Sequence, residues 1–322
     1  MRPFLENCTL SLYHPDLKGW WDDFISIAKN GNFLFLRDYM DYHSDRFVDH
    51  SLMFYLNRSL IGCLPATRIG RTLHSHRGLT YGGLVMHPDI RLHAVLAITK
   101  RLAAHLRDSD LDGLVYNPMP HIYHRLPAEE DLQAFAKLGG QIVDSKAISV
   151  LRAGDHRDLF SNNRRRDADR FRKLGLALGR SNDFGAFMTL CALHLSQRFS
   201  AKPLHTVVEI RALANRFPNN IQLYAVHNHS QMIAGVILYC NALCAKIQYL
   251  AHDDLGKKAC AVTAILAYII DNILPPNTWL ELGHSVGLAG EFNEGVFAYK
   301  ESLGARTIEI RSYLLSPLFP SA

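Results

Sequence analysis

The sequence lacks the short motifs that mark several large enzyme classes. Its six cysteines include no Cys-x-x-Cys pair, which argues against zinc-ribbon and dithiol redox chemistry. No His-Glu-x-x-His motif, phosphate-binding Walker loop or dinucleotide fingerprint is present. These absences count against a metallohydrolase, a kinase and a dehydrogenase, and no metal cofactor is expected. The cysteines instead resemble small buried hydrophobic residues.

The chain also has no long apolar run. The longest, residues 259–270, is interrupted by Thr263 and Tyr268 and is shorter than the roughly 20 residues of a membrane span. The first residues lack the apolar core of a signal peptide, so a cytoplasmic protein is expected. The net charge of +5 comes without an arginine-rich tail. It favours acidic small molecules as partners, and nucleic acid is not expected.

What is present indicates a globular protein with two domains. The chain has 322 residues, 48% of them hydrophobic and 20% charged, which is enough for two cores of ordinary size. Helical and strand-like segments alternate along it, so the predicted class is α/β (α+β). The polar segment 152–175 suggests the domain change, with one domain over 1–152 and another over 153–322.

The most informative stretch joins a predicted short buried strand, the run of residues 280–284, to a predicted helix, residues 293–304. The run stops at a glycine and a histidine, as a buried strand does when it meets a turn. Ligands commonly bind beyond the carboxyl ends of strands in open sheets. We therefore expect His284, Asn293 and Lys300 to converge there. The alternative is an ordinary strand, loop and helix with a solvated lysine.

The order of elements occurs twice. Each half begins with helices, continues with a meander of strands and one central helix, and ends in a strand, a helix and a final strand. The two central helices are predicted at residues 90–106 and 259–273. The halves agree in element order and not in residue identity, so the repeat is structural. Each half is expected to be a mixed, mostly antiparallel sheet flanked by helices.

This element order resembles the GNAT acyltransferase fold, and two copies in tandem resemble the FemABX-type members of that superfamily. The resemblance covers nearly the whole chain. It is most specific in the segments 32–47 (NFLFLRDYMDYHSDRF), 78–83 (GLTYGG) and 300–304 (KESLG), the last together with Leu282-Gly283. These segments look like a FemABX-related subgroup of bacterial acyltransferases for surface-sugar synthesis, some of which acylate nucleotide-linked amino sugars.

The resemblance implies a binding site for acyl-CoA as co-substrate, although it leaves open which domain holds it. In GNAT enzymes a loop of the form Arg/Gln-x-x-Gly-x-Gly/Ala wraps the pyrophosphate at a helix N-terminus. Residues 253–259 occupy that place here, but Asp253 and Asp254 depart from the pattern and would repel phosphate. The implied cofactor-binding residues are Tyr249, Leu250, Ala251, Gly256, Lys257, Lys258 and Asn293.

The resemblance also gives Lys300 a catalytic role. It stands where single-domain GNAT enzymes have a tyrosine that protonates the departing thiolate, and FemABX-type proteins resemble this chain in carrying lysine there. A lysine can contact phosphate, stabilise an oxyanion or donate a proton if burial lowers its pKa. For the general base we consider His284 first, then His205, His121 and His124. Direct deprotonation through water is the alternative.

Substrate-binding candidates come from both halves. Arg198 and Lys202 lie at the end of the predicted helix 183–199 and just after it, and they resemble the place where FemABX-type proteins hold nucleotide phosphates, although a solvated helix end is an equal alternative. The candidates for the acceptor side are aromatic and histidine side chains that could stack on a base or a sugar, or simply be structural. The predicted substrate-binding set is Tyr81, His121, Tyr123, His124, Arg198, Lys202 and His205.

The leading prediction is an N-acyltransferase that moves an acyl group from acyl-CoA to the amino group of a nucleotide-linked amino sugar. An alternative is a FemABX-like transferase that takes an aminoacyl group from tRNA to a cell-wall precursor. The arginine-rich run 164–173 could meet tRNA, or could be an exposed interdomain helix. The chain has no sustained heptads for the coiled-coil arm of tRNA-docking FemABX proteins, which favours the first prediction. A non-catalytic double-GNAT binding module is the third, and a homodimer is left open.

Overall fold

The computed structural model describes residues 8–75, 77–154, 160–287 and 291–317. These residues form two compact units. The first runs up to Lys146 and resumes at Ile310, and the second is Ala147–Glu309. The change of unit therefore falls inside a strand, earlier than the polar segment at which the sequence predicts it. Among the described residues, no helix is both long enough and apolar enough to cross a membrane.

The first unit contains a four-stranded antiparallel sheet and a second group of short strands. Its strands are β1 (Cys8–Leu12), β2 (Val48–Asp49), β3 (Leu52–Leu56), β4 (Ser59–Leu64), β5 (Thr67–Ile69), β6 (Thr72–His74), β7 (Val85–Met86) and β8 (Gly113–Tyr116). Its α-helices are α1 (Lys18–Ile27), α2 (Arg37–Met40), α3 (Leu92–Asp108) and α4 (Glu130–Lys137). Single 3₁₀ turns lie at Pro15–Leu17, Phe33–Phe35, Asp41–His43 and His121–Tyr123.

The core of the first unit lies between the four-stranded sheet, in the order β1-β3-β4-β7, and helix α3. Strands β3 and β4 form a hairpin, and Asn57 and Arg58 turn it with positive φ. Helix α3 buries one face against this sheet through residues such as Val95, Ile98 and Leu102, as its helical spacing predicts.

The second unit contains one large mixed sheet with helices packed against it. Its strands are β10 (Ala177–Ser181), β11 (Ile221–Asn228), β12 (Gln231–Cys240), β13 (Cys244–His252) and β14 (Trp279–His284). Two strands pass between the units, β9 (Gln141–Arg152) and β15 (Arg306–Leu315). The helices are α5 (Asn162–Arg172), α6 (Phe184–Phe199), α7 (Val207–Arg216), α8 (Asp254–Lys258), α9 (Ala261–Asn272) and α10 (Glu294–Ser302).

The strand order in the second unit is β10-β11-β12-β13-β14-β9. All neighbours are antiparallel except β13 and β14, which are parallel. Helix α9, the apolar central helix, connects these two strands and buries most of one side against the sheet, including Ile265 and Ile269. The helix that the sequence predicts over 259–273 is α9, and the short helix α8 precedes it. Cys260 breaks them with a φ of +55° between α8 and α9.

Candidate active site

Strands β13 and β14 diverge, and the space between them is a cavity. They pair at only three positions, the last being Lys246 with Glu281. Beyond that point β13 remains paired with β12 as far as His252, and β14 with β9 as far as His284. A bulge in β13 at Gln248 adds to the bend. The cavity has a volume of about 750 Å³ and takes walls from α5, α6, α8, α9 and α10 as well as both strands.

Lys300 lies at the end of β14 in this cavity. It is only 7% exposed, and its Nζ donates to the carbonyl oxygens of Gly283 at 2.8 Å and His284 at 2.5 Å. Gly283 has a φ of +71°, a conformation that favours glycine, beside a bulge in β14 opposite β9. Burial lowers the pKa of Lys300 to about 8, and the positive charge of Lys246 contributes to the lowering. An ammonium group with this pKa can be both an electrostatic stabiliser and a proton donor near neutral pH.

His284 lines the same cavity and is exposed. Its Nδ1 lies 3.1 Å from the carbonyl oxygen of Ala147. Because a carbonyl oxygen only accepts, this contact makes Nδ1 the protonated nitrogen of the neutral ring and Nε2 its basic nitrogen. Asn293 also lines the cavity, and its side chain caps α10 by accepting from the N–H of Val296 at 3.0 Å.

The residues around His284 have the Gly-x-Ser-x-Gly spacing of serine hydrolases, from Gly283 to Gly287, with Ser285 in the middle. The geometry does not support that chemistry. Ser285 is 5% exposed, and its Oγ has no hydrogen-bond partner among the described residues. A nucleophile elbow needs an exposed hydroxyl on a sharp strand-to-helix turn with a histidine beside it. Ser285 instead lies in a loop that is followed by a bridge between Val286 and Phe292.

One wall of the cavity carries polar groups from α5, α9 and α10. The Arg164 guanidinium lies 5.2 Å from the centre of the Tyr299 ring and pairs with the Asp167 carboxylate at 2.8 Å. The Tyr299 hydroxyl lies 3.1 Å from the hydroxyl of Thr263. Burial raises the pKa of Tyr299, and burial together with Asp167 raises that of the Cys260 thiol. Both groups are therefore neutral hydrogen-bonding groups near pH 7 and not activated nucleophiles.

Four cationic or titratable side chains line another part of the cavity: His194, Arg198, His252 and Lys257. The rings of His194 and His252 pack edge to face with centroids 4.5 Å apart. Burial lowers the pKa of both, and Arg198 lowers both further. With Arg164 and Lys300, the cavity lining contains four lysine or arginine side chains and no aspartate or glutamate among the described residues. It is therefore suited to an anionic ligand, such as a phosphate ester.

The loop expected to clasp the pyrophosphate of CoA does not fit that role. The Asp253 carboxylate accepts from the N–H of Gly256 at 2.7 Å, so a side chain occupies the backbone donor that a phosphate would need. Gly256 is required by packing instead. A Cβ there would lie 2.2 Å from the carbonyl oxygen of Ile233 in β12. Asp254 adds a second negative charge in the first turn of α8. Asp253 and Asp254, which depart from the GNAT loop pattern in the sequence, thus also have defined positions at the start of α8.

The structure brings together seven of the predicted site residues at the cavity and leaves others elsewhere in the second unit. Those that line it are His284, Lys300, Leu250, Gly256, Lys257, Asn293 and Arg198. Tyr249 and His205 are buried together away from the lining, with the tyrosine hydroxyl 2.7 Å from Nδ1 of His205. This pair places His205 in the packing of the unit and not in the position of a base. Ala251, Lys258 and Lys202 are also outside the lining, and both lysines are exposed.

The remaining predicted residues belong to the first unit. Tyr81 and Tyr123 are buried, with ring centroids 5.6 Å apart, so these rings pack on each other and are not presented to solvent. Nε2 of His124 lies 3.0 Å from the Met119 carbonyl, and burial lowers the pKa of this histidine to about 4. His121 is exposed. In the parts of the chain that the structure describes, no group of three or more His, Cys, Asp or Glu side chains is arranged to hold a metal ion.

Solved structures share this fold over nearly the whole chain. FemX has a TM-score of 0.68 at 10% identity, covering 94% of this chain and 96% of FemX. The C-terminal domain of a putative lysylphosphatidylglycerol synthetase from Agrobacterium fabrum has 0.59 at 10% identity, covering 93% and 91%. A tandem GNAT protein from the clavulanic acid biosynthesis pathway has 0.52 at 14% identity, covering 98% and 100%. The sequence matches no protein-family profile and no curated protein.

These similarities confirm the predicted fold class. The chain has a tandem GNAT-like fold, a mixed α+β architecture with open sheets flanked by helices. At 10–14% identity the comparisons establish the fold and not the substrate.

Several cavity residues escaped the sequence analysis. His194 lies four residues before Arg198 on α6, so it shares a helix face with a residue that the sequence did predict, and that spacing was a usable signal. Tyr299 is next to Lys300 and had no signal of its own. Thr263 and Cys260 lie in the apolar run around α9, where they resemble ordinary core residues.

Proposed function

We propose that this protein is an aminoacyltransferase of the FemX kind, with its reaction centre in the cavity of the second unit. The observation that carries this proposal is the position of Lys300. Its ammonium group is buried at the point where two parallel strands separate, held by the carbonyls of Gly283 and His284. This is the place in a GNAT-like fold where an activated acyl group would meet an amine.

The proposed reaction is attack of an amine on the carbonyl carbon of an ester. A new C–N bond forms, negative charge develops on the carbonyl oxygen, and the bond from the carbonyl carbon to the ester oxygen then breaks. An ammonium group has three N–H donors, and the described contacts of Lys300 use two of them. In the proposed reaction the third N–H stabilises the oxyanion, and Lys300 then gives its proton to the departing oxygen.

The amine must lose a proton for the amide to form. We assign this step to Nε2 of His284, because the contact of Nδ1 with the Ala147 carbonyl makes Nε2 the basic nitrogen. The histidine is exposed, so a proton that it accepts can pass to solvent. Lys300 and His284 thus have opposite roles. Lys300 gives a proton to the leaving oxygen, and His284 accepts a proton from the amine.

The donor is inferred from the walls of the cavity. Its cationic lining suits a phosphate-rich donor, which both acyl-CoA and aminoacyl-tRNA are. The Asp253 carboxylate on the N–H of Gly256 counts against CoA, whose pyrophosphate needs that backbone donor. FemX and the lysylphosphatidylglycerol synthetase domain are also among the structures that resemble this chain. These points favour aminoacyl-tRNA, and with it a cell-wall precursor amine, over the leading sequence prediction of acyl-CoA and a nucleotide-linked amino sugar. The proposal also departs from the prediction that nucleic acid is not a partner.

The proposal is tested by a donor competition. The purified full-length protein is incubated with radiolabelled aminoacyl-tRNAs or acyl-CoAs, and with either peptidoglycan-precursor peptides or nucleotide-linked amino sugars as acceptors. We expect label to move from aminoacyl-tRNA into the peptide amine, with release of free tRNA. Transfer from acyl-CoA to an amino sugar, with no transfer from tRNA, would overturn the donor assignment and restore the first sequence prediction. Absence of transfer from every donor would favour a binding module.

A further inference from the structure

A buried ion pair lies at the point where β13 and β14 separate. Lys246 and Glu281 are register partners in the two strands, and their side chains are in contact at 2.6 Å. Glu281 is fully buried and the Lys246 side chain is 14% exposed. Leu280 and Ile247, the neighbours of the pair in sequence, belong to or pack against the apolar core of the unit.

Such a pair is not explained by stability. Taking both charges out of water is unfavourable by several kcal/mol per ion, and apolar residues of similar volume are often as stable or more stable in the same place. Cross-strand packing of aliphatic side chains would serve a parallel pair at least as well. The pair therefore calls for a role in the nearby site.

The pair is connected to Lys300 by the backbone of β14. Glu281 lies two residues before Gly283 and three before His284, and the carbonyls of these two residues hold the Lys300 ammonium group. The charges of the pair also act on Lys300 in opposite directions, since Lys246 lowers its pKa and Glu281 raises it. The influence of Lys246 is the larger of the two, and burial exceeds both.

We propose that Lys246 and Glu281 are positioning residues that set the charge state and the seat of the Lys300 ammonium group. This inference rests on the proposed function, in which Lys300 is the catalytic residue. Glu281 anchors the end of β14 through Lys246, and the two opposed charges adjust how readily Lys300 releases its proton. Neither side chain lines the cavity, so neither contacts substrate in this account.

The charged and titratable groups around Lys300 come from several elements. Strand β13 contributes Lys246, and strand β14 contributes Glu281 and His284. Helix α10 itself carries Tyr299, and α5 places Arg164 over that ring. Of these, Lys246 and Glu281 are the charges that act on the titration of Lys300. Variants of the pair are therefore the direct test.

The experiment measures the titration of Lys300 without using enzyme activity. The folded protein is labelled briefly with acetic anhydride at a series of pH values, and the extent of labelling at Lys300 is read by peptide mass spectrometry. Glu281→Gln is expected to lower the apparent pKa of Lys300 below that of the wild type, because the lowering charge of Lys246 stays. Lys246→Met is expected to raise it.

The double variant Lys246→Met/Glu281→Leu keeps the test valid if a single variant fails to fold, because it leaves no buried charge behind. It is expected to raise the apparent pKa of Lys300 above the wild-type value, since Lys246 has the larger influence. Arg172→Met is the matched control. It removes an exposed ion pair with Asp169 on α5 and should leave Lys300 unchanged.

The same apparent pKa of Lys300 in the wild type and in all pair variants would overturn the inference, even if the protein transfers aminoacyl groups as proposed. Shifts in the expected order, together with no transfer from any donor, would keep the inference and refute the proposed function. The pH–rate profile of transfer gives the second readout. Its alkaline limb should move with the titration of Lys300, whereas a merely structural defect would lower the rate at every pH.

Discussion

Lys300 combines two properties that seldom occur together in a lysine. It is almost fully buried, and it still has carbonyl oxygens to hold its charge. Burial alone favours the neutral amine, and the carbonyls of Gly283 and His284 oppose this by hydrogen bonding to the ammonium form. The resulting pKa of about 8 leaves Lys300 mainly protonated at neutral pH but ready to release its proton. This balance is what an acyl transfer with a poor leaving group requires.

A second buried charge, Asp131 in the first unit, gives a prediction about stability. Asp131 is 4% exposed and accepts from the hydroxyl of Tyr116 and from the N–H of Leu132. Burial raises its pKa from 3.8 to about 6. The folded state therefore binds this proton more tightly than the unfolded state. The stabilisation of the fold by protonated Asp131 is complete below pH 4 and is lost as the pH rises through 6. We expect a decrease of about 3 kcal/mol in the free energy of unfolding from this group.

The measurement is urea unfolding between pH 4 and pH 7 for the wild type, Asp131→Asn and Asp89→Asn. Asp131→Asn should have a smaller fall in stability over that range, because it has no carboxyl group to ionise there. Asp89, whose side chain is 91% exposed, is the matched control and should follow the wild type. An identical pH dependence in all three proteins would contradict the assignment to Asp131.

At the scale of elements, the site is formed by the separation of β13 from β14 and by the short helix that follows β13. Helix α8 packs against β12 so closely that Gly256 admits no side chain. Its first turn is closed by Asp253, which leaves no backbone donor at Gly256 for a phosphate. The central helix α9 then starts separately at Cys260. The strand–loop–helix arrangement is thus retained, and a side-chain cap occupies the backbone N–H of Gly256 at the start of α8.

This gives a prediction for Asp253→Ala. Removing the carboxylate frees the N–H of Gly256 and takes away a negative charge, which we expect to tighten CoA binding by about 1 kcal/mol, or about fivefold in Kd. The same change removes an N-cap and should destabilise the protein by about 1 kcal/mol. Isothermal titration with CoA and thermal unfolding measure the two effects.

Asp183→Ala is the control for this experiment, because Asp183 caps α6 in the same way by accepting from the N–H of Ala186 at 2.9 Å. It should lose similar stability with no gain in CoA affinity. If Asp253→Ala binds CoA no better than the wild type and Asp183→Ala, the cap is not what disfavours CoA.

At the scale of the molecule, much of the fold was predictable. The hairpin of β3 and β4, the helix α3 and the strand–helix pair β14 and α10 all follow from local periodicity and turn residues. The tandem GNAT-like fold was predicted from the order of these elements and is confirmed by the solved structures. The sequence did not predict that β15 would begin in the second unit and end in the first, where its last residues pair with β8. That pairing depends on contacts far apart in the chain.

The candidate site was most readily predictable where one segment carries several of its residues. His284, Asn293 and Lys300 come from a single strand, loop and helix, and they line the same cavity. Arg164 and His194 come from α5 and α6, and only the packed sheet brings these helices to the cavity. His205, also predicted, lies outside the cavity lining, and its Nδ1 is 2.7 Å from the hydroxyl of the buried Tyr249. Residue type and position along the chain do not distinguish a side chain that lines the cavity from one that is buried elsewhere.

In the proposed function, Lys300 catalyses aminoacyl transfer in the cavity between β13 and β14. The most direct measurement is the single-turnover rate of transfer from aminoacyl-tRNA to the acceptor amine, from pH 6 to pH 9, for the wild type and Lys300→Met. We expect the wild-type rate to fall as pH rises through about 8, where Lys300 loses its proton. Lys300→Met should be slower at neutral pH by about tenfold or more, equivalent to about 1.4 kcal/mol of transition-state stabilisation, with an unchanged circular dichroism spectrum. A folded Lys300→Met variant with near wild-type turnover would contradict the account.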